Sequence, residues 1–81
     1  MDRNLIFEKL TLVFRQVMDN NDIVLLDETT ANDIEEWDSL AHVQLTEKIE
    51  EVFGLKFSAK EMSSWIDVGE MVDDIEKKLN D

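Results

Sequence analysis

Cysteine and proline are absent from this chain of 81 residues, which also has only two glycines and a single histidine, His42. Without cysteine, neither a disulfide framework nor a thiolate metal site can form, and one histidine cannot build a zinc site. We therefore expect no metal centre. Because the residues that interrupt helices are nearly missing, the composition predicts an all-α fold.

Basic residues are also scarce, since eight lysines and arginines stand against twenty aspartates and glutamates, for a formal net charge of −12. A field of this sign repels nucleic acids and anionic membrane surfaces. It attracts proteins that present lysine and arginine patches, and it favours weak complexes that form and separate quickly. We therefore expect basic protein partners and no nucleic acid.

Long apolar runs are lacking as well. The run Ile23–Leu26 has only four residues, and the first residues, Met1–Asn4, show no basic region followed by an apolar segment. Neither a signal peptide nor a membrane span is visible, so we expect a cytoplasmic protein without membrane insertion. A chain of 81 residues with 43% hydrophobic content can form one small core, so we expect a single monomeric domain over 1–81.

Apolar periodicity and capping signals predict four helices. They are expected at residues 3–18, about 39–53, near 59–64 and from Asp67 to about Leu79. The sequence of residues 58–61, Ser-Ala-Lys-Glu, fits a capping box, and Gly54 marks the end of the preceding helix. The run Ile23–Leu26 is too short for a helix, and we interpret it as loop residues folded over the core. The prediction is a small four-helix bundle with a long first loop.

Ser39 opens the second predicted helix, directly after an acidic loop. A serine at this place can cap the helix, because its oxygen accepts from free backbone N–H groups of the first turn. The same N–H groups and the positive end of the helix dipole also favour a phosphate. Ser39 is therefore either a cap or an attachment point for a phosphodiester.

The stretch Glu36–Leu45, which reads Glu-Trp-Asp-Ser-Leu-Ala-His-Val-Gln-Leu, is followed by Ile49–Leu55, which reads Ile-Glu-Glu-Val-Phe-Gly-Leu. This pattern resembles the acyl carrier protein family, and the likeness extends from about Leu26 to Leu79. In that family the serine of Asp-Ser-Leu carries a 4′-phosphopantetheine arm. The resemblance therefore implies that Ser39 is the attachment site, with Asp38 beside it holding the loop or assisting the modifying enzyme.

The resemblance also implies a mechanism in which the chain is a substrate and not an enzyme. A phosphopantetheinyl transferase would modify Ser39 from coenzyme A, and acyl groups would then travel as thioesters to acyl-transferring or acyl-activating enzymes of fatty acid, polyketide or related specialised acyl metabolism. Gln44 and Lys48 depart from the uniformly acidic second helix of many fatty-acid carriers, which favours a specialised set of partners.

A helical-wheel count at about 100° per residue gives the second helix two apolar faces. The core face is predicted to contain Leu45, Ile49, Val52 and Phe53. Leu40 and Val43 point to the other side, where they either form a partner-binding patch or pack against the long loop. The rim of this side is formed by Gln44, Glu47, Glu50 and Glu51 together with Lys48. An apolar patch with an acidic rim is typical of a transient docking surface, although charged runs are more often solvated helix faces.

In the family, the cargo chain can enter between the second and third helices. By resemblance this cargo pocket would involve Ile49, Phe57, Met62 and Trp65, which can equally be core residues. Trp37 stands where many fatty-acid carriers have glycine, and we interpret it as a loop anchor on the core.

There are four alternative functions for a chain with these residues. An enzyme based on Asp38, Ser39 and His42 is disfavoured, because adjacent residues project in different directions and no water-excluding pocket is evident. An EF-hand over Asp19–Thr30 lacks the required glycine and the bidentate glutamate. A D-alanyl or peptidyl carrier stays open, although peptidyl carriers usually show Gly-Gly-x-Ser. An unmodified acidic interaction module, with Ser39 only as a cap, is the alternative from a different class.

Overall fold

The computed structural model describes residues 1–80 and shows an all-helical chain in that range. The helices are α1 (Arg3–Met18), α2 (Ser39–Phe53), α3 (Ala59–Ser64) and α4 (Val68–Asn80), with a short 3₁₀ turn at Ala31–Asp33. The predicted four-helix bundle with a long first loop is therefore confirmed, and every predicted helix boundary lies within one residue of the observed one. Within the described part of the chain, no helix is both long enough and apolar enough to cross a membrane.

The helix ends follow from local side chains. Asp2 caps α1 by accepting a hydrogen bond from the Asn4 amide at 2.9 Å. Gly54 ends α2 with a φ of 67°, a left-handed conformation that glycine adopts without strain. Ser58 and Glu61 form the predicted capping box of α3, since each side chain accepts the other residue's backbone N–H.

The core lies between α1, α2 and α4, because α1 packs against both of the other long helices. Its fully buried side chains come from these three helices: Ile6, Leu10, Phe14, Leu45, Ile49, Val68, Met71, Val72 and Ile75. The prediction for Val52 is wrong, because this residue is exposed. Phe53, about 100° further round the helix axis, takes the buried position in the last turn of α2.

The long loop, residues 19–38, covers one side of this core. Ile23, Leu25 and Ile34 are buried, as expected for loop residues folded over the core. Val24 and Leu26 do not share that role, because buried and exposed residues alternate along Ile23–Leu26 and these two are the exposed ones. The loop therefore presents two apolar side chains to solvent.

The loop is fastened to α4 and α1 by hydrogen bonds and one arginine. The amides of Val68 and Gly69 donate to the carbonyl oxygens of Thr29 and Asp27, each at 2.8 Å. The Arg3 guanidinium lies 2.7 Å from carboxylate oxygens of both Asp27 and Asp73, and these two hydrogen bonds raise the pKa of Arg3. This fastening fixes the path of the chain that leads to α2.

Candidate functional site

Ser39 is the first residue of α2, and the cap position belongs to Asp38. The Asp38 carboxylate accepts a hydrogen bond from the Ala41 amide at 2.8 Å. The interpretation of Ser39 as the helix cap is therefore wrong. Asp38 takes that role because it occupies the non-helical position before the first turn, from which its carboxylate accepts the amide three residues ahead, whereas Ser39 is already the first helical residue. The Ser39 side chain is exposed, and its hydroxyl has no hydrogen-bond partner within residues 1–80.

Trp37 fixes the loop immediately before Ser39. Its indole ring meets the buried ring of Phe14 edge-on, with centroids 5.0 Å apart and planes at 87°. Edge-to-face contacts of this kind are favourable beyond the area they bury. Trp37 is half-buried, so it anchors the loop on the core, as predicted from the sequence.

His42 connects three segments of the chain at the same end of α2. The Trp37 indole N–H donates to His42 Nδ1 at 3.0 Å, and His42 Nε2 lies 3.1 Å from the carbonyl oxygen of Met62. Because Nδ1 accepts a hydrogen bond, the compatible tautomer is the neutral one in which Nε2 carries the proton and donates to Met62. His42 thereby ties the loop and α2 to α3.

A groove of about 430 Å³ opens beside Ser39, and its walls are mostly aromatic or apolar. They include Trp37, His42, Met62, Trp65 and Ile66. The Trp65 indole N–H donates to Asp74 on α4 at 2.6 Å, so both tryptophans that line the groove have satisfied N–H groups and offer apolar ring surface. The site is thus an exposed hydroxyl at the edge of an aromatic groove.

The four cargo-pocket candidates do not share one cavity in this structure. Ile49 is fully buried in the core, whereas Met62 and Trp65 line the groove beside Ser39. Phe57 and Met62 line a second groove of about 450 Å³ between α2 and α3. The rings of Phe57 and Trp65 meet edge-on with centroids 4.9 Å apart, so a wall residue of the second groove contacts a wall residue of the first.

The α2 surface predicted for partners is open to solvent. Leu40 is 68% exposed and Val43 is 55% exposed, so the alternative that they pack against the long loop is wrong. Gln44, Glu47 and Glu51 are exposed around them. Glu50 is half-buried instead, and its carboxylate accepts the Phe57 amide at 2.8 Å. That bond holds the connection between α2 and α3.

The short helix α3 is held in place by Glu61. Two groups stabilise its charged carboxylate: first the backbone N–H of Ser58, which donates to it at 2.8 Å, and second the Lys78 ammonium, which lies 3.0 Å away. Together they hold the pKa of Glu61 below its ordinary value of 4.5. The charged carboxylate therefore fastens α3, and with it Met62, to α4.

Sequence reasoning missed two features of this site. His42 was considered only as a metal ligand or a catalytic base, and its hydrogen bonds to Trp37 and Met62 were not foreseen. Ile66 was not considered, although it is exposed and lines the groove beside Ser39. An available signal for Ile66 was its place as an isolated apolar residue just before the fourth helix.

The solution NMR structure of the holo acyl carrier protein from Geobacter metallireducens matches this chain with a TM-score of 0.86. The two sequences are 43% identical, and the match covers 91% of this chain and 85% of that one. The chain belongs to the acyl carrier protein family. No protein-family model matches it, and no curated protein does either.

As an acyl carrier protein, the chain is a non-catalytic carrier, and the family expected from the residues around Ser39 is confirmed. The relative was solved in its holo form, which implies phosphopantetheine attachment within the family. Partners of an acyl carrier protein are enzymes that handle acyl groups.

Proposed function

We propose that Ser39 is the residue to which 4′-phosphopantetheine is attached, and that the resulting thiol carries acyl groups as thioesters. The observation that supports the proposal is that two different residues provide the cap and the free hydroxyl at the start of α2. Asp38 caps the helix, and the Ser39 hydroxyl is left exposed and without an internal partner in the described chain. A hydroxyl that is not needed for capping is available for modification.

In the attachment step, the Ser39 oxygen forms a bond to the phosphorus of coenzyme A that bears the pantetheine. The bond from that phosphorus to the second phosphate breaks, and adenosine 3′,5′-bisphosphate leaves. A phosphopantetheinyl transferase supplies the base that takes the hydroxyl proton, so this chain is only the acceptor. No redox change occurs.

The start of α2 suits the product of this step. Free N–H groups of the first helical turn and the positive end of the helix dipole stabilise a negative phosphodiester. The Asp38 carboxylate lies nearby and opposes it, but both groups face solvent, where screening keeps the repulsion small. The site therefore accepts the added charge at little cost.

Once loaded, the carrier would deliver acyl groups to enzymes of fatty acid, polyketide or related specialised acyl metabolism. The arm tethers the thioester, so each docked enzyme meets a raised effective concentration of its substrate. Leu40 and Val43, with Gln44, Glu47 and Glu51 around them, form an exposed apolar patch with acidic neighbours on the same helix. A patch of this composition fits enzymes with basic docking surfaces.

The first experiment is intact-mass spectrometry after incubation with coenzyme A and a broad-specificity phosphopantetheinyl transferase. The parent chain should gain one phosphopantetheine, and Ser39→Ala should gain none. Ser63→Ala is the matched control, because Ser63 is another exposed serine near the same groove, and it should be modified like the parent. Modification of Ser39→Ala, or no modification of the parent by several transferases, would refute the assignment.

The α2 patch can be tested in the same reaction. Val43→Ser removes an exposed apolar contact without affecting the core, and we expect kcat/KM of the transferase to fall about fivefold. Leu12→Ser on α1 is the control, since Leu12 is similarly exposed at 61% and lies on a different helix. Equal effects of the two substitutions would show that the α2 patch has no special part in docking.

A further inference from the structure

The long loop accounts for −8 of the net charge of −12 of this protein. Eight of the twenty acidic residues lie between Asp19 and Asp38, and none of the eight lysines and arginines does. They are Asp19, Asp22, Asp27, Glu28, Asp33, Glu35, Glu36 and Asp38. On α2, by comparison, three glutamates are accompanied by Lys48. The loop, more than α2, is therefore the face that attracts a basic partner.

The same loop contains an apolar element inside this acidic field. Val24 is 70% exposed and Leu26 is 54% exposed, whereas Ile23 and Leu25, the alternate residues of the same run, are buried in the core. Val24 and Leu26 line a groove of about 480 Å³. No lysine or arginine lines the groove. Five carboxylate residues do: Asp22, Glu28, Asp33, Glu35 and Glu36. The groove thus combines two apolar contacts with an acidic wall.

Hydrogen bonds hold this groove in shape. The Leu26 amide donates to Thr29 Oγ1 at 2.9 Å, and the Thr29 amide donates back to the Leu26 carbonyl oxygen at 3.1 Å. Arg15 on α1 donates to the carbonyl oxygen of Ile23 at 2.9 Å. At the other wall, Asn20 donates to the Glu36 carboxylate at 3.1 Å. A surface that is ordered before binding loses less entropy when a partner docks.

The groove is continuous with the Ser39 site along the chain. Glu35 and Glu36 form part of its wall, and they directly precede Trp37, which is anchored on Phe14 beside the Ser39 groove. A protein docked on the loop would therefore lie next to the start of α2. That placement suits an enzyme whose active site must receive a group tethered at Ser39.

We propose that this loop groove is a second docking surface, which binds an extended segment of a partner enzyme with alternating lysine or arginine and large apolar residues. In an extended segment, alternate side chains share a face, so its apolar side chains can contact Val24 and Leu26 while its cations meet the carboxylates. That the partner acts on the arm rests on the function proposed above. The charge and shape of the groove, by contrast, are independent of that proposed function.

The test uses the unmodified ¹⁵N-labelled protein and an end-blocked peptide Lys-Leu-Lys-Leu-Lys, so that it does not depend on modification of Ser39. Amide shifts should change within residues 22–36, and the affinity should fall as salt is added. Leu26→Ser should weaken binding about fivefold, because a half-exposed leucine contact is lost. Leu12→Ser, which alters a similarly exposed leucine on α1, should bind like the parent.

Several results would overturn this proposal. They are shift changes confined to Leu40 and Val43 on α2, no binding, equal affinity for Leu26→Ser and the parent, and equal affinity for a Lys-Gly-Lys-Gly-Lys peptide. The last two would mean that charge alone attracts the peptide. The spectrum of the free Leu26→Ser variant shows whether it has folded. Ser39→Ala should bind the peptide like the parent, which separates failure of this proposal from failure of the attachment site.

Discussion

The contact between the long loop and α4 depends on the absence of a side chain at Gly69. This residue is buried near the start of α4, and its amide donates to the Asp27 carbonyl oxygen at 2.8 Å. A Cβ atom at position 69 would lie 2.9 Å from that same oxygen and 3.1 Å from the Asp27 carboxylate. The nearest obstacle is backbone, so Gly69→Ala forces the loop away from the helix.

The net effect can be estimated from two opposing contributions. Alanine favours the helix over glycine by up to about 1 kcal/mol. Overpacking against a fixed neighbour costs about 1–3 kcal/mol, and the displaced loop also strains the hydrogen bond to Asp27. We expect Gly69→Ala to lower the free energy of unfolding by about 1–2 kcal/mol. For a domain of this size each kcal/mol corresponds to a Tm decrease of about 4–8 °C.

The assay is thermal unfolding followed by circular dichroism, combined with amide shifts of the folded variants. Gly54→Ala is the matched control, because Gly54 has a φ of 67° and open space around its Cβ position. It should lose about 1–2 kcal/mol through backbone strain alone and leave the amide shifts of Asp27 and Thr29 unchanged. If Gly69→Ala is as stable as the parent, or leaves those two amides unmoved, the steric reasoning is wrong.

Three further substitutions test the surroundings of Ser39. Asp38→Ala should lower the free energy of unfolding by about 0.5–2 kcal/mol in urea titrations, because the Ala41 amide loses its hydrogen-bond acceptor. Asp38→Asn should retain most of the parent stability, since the asparagine oxygen can accept the same hydrogen bond. Equal stability of the parent and both variants would contradict the capping role. Trp37→Phe keeps a ring on the core but removes the donor to His42, and should cost about 0.5–1.5 kcal/mol; an unchanged urea midpoint would show that this bond contributes nothing. Folding lowers the pKa of Glu61, so the stabilisation that the Glu61 carboxylate contributes is complete above its ordinary pKa of 4.5 and is lost as pH falls through its pKa in the folded protein. Glu61→Gln should therefore flatten the dependence of the free energy of unfolding on pH in that acidic range. An unaltered pH profile would refute this linkage.

The helices were predictable because their signals are local. The capping box at Ser58 and Glu61 lies within four residues, and the left-handed turn at Gly54 needs only one glycine. Apolar residues repeat along α4, where Val68, Met71, Val72 and Ile75 are all buried. Such signals depend on short-range geometry that every helix shares. They fix where each element begins and ends without reference to its neighbours.

The arrangement around Ser39 was less predictable, because it depends on how separate elements meet. Trp37 and His42 are five residues apart across a loop–helix boundary, and Met62 lies twenty residues further along the chain. No periodicity connects these positions. The indole that donates this hydrogen bond is also in edge-on contact with Phe14 on α1, a third separate element. The wrong prediction that Val52 is buried has a similar cause. A helical wheel gives the direction of a side chain, but it does not show whether a neighbouring helix is present to cover it.

The acidic residues of the loop are visible in the sequence, but their position beside exposed apolar side chains is visible only in the fold. Counted along the chain, the acidic residues from Asp19 to Asp38 describe a solvated segment. In the fold, the alternation from Ile23 to Leu26 buries every second side chain and leaves Val24 and Leu26 among those carboxylates. A solvated loop does not need two large apolar side chains in contact with water, since exposing them gains nothing in stability. Their position beside the carboxylates is accounted for if a basic, apolar partner covers both together.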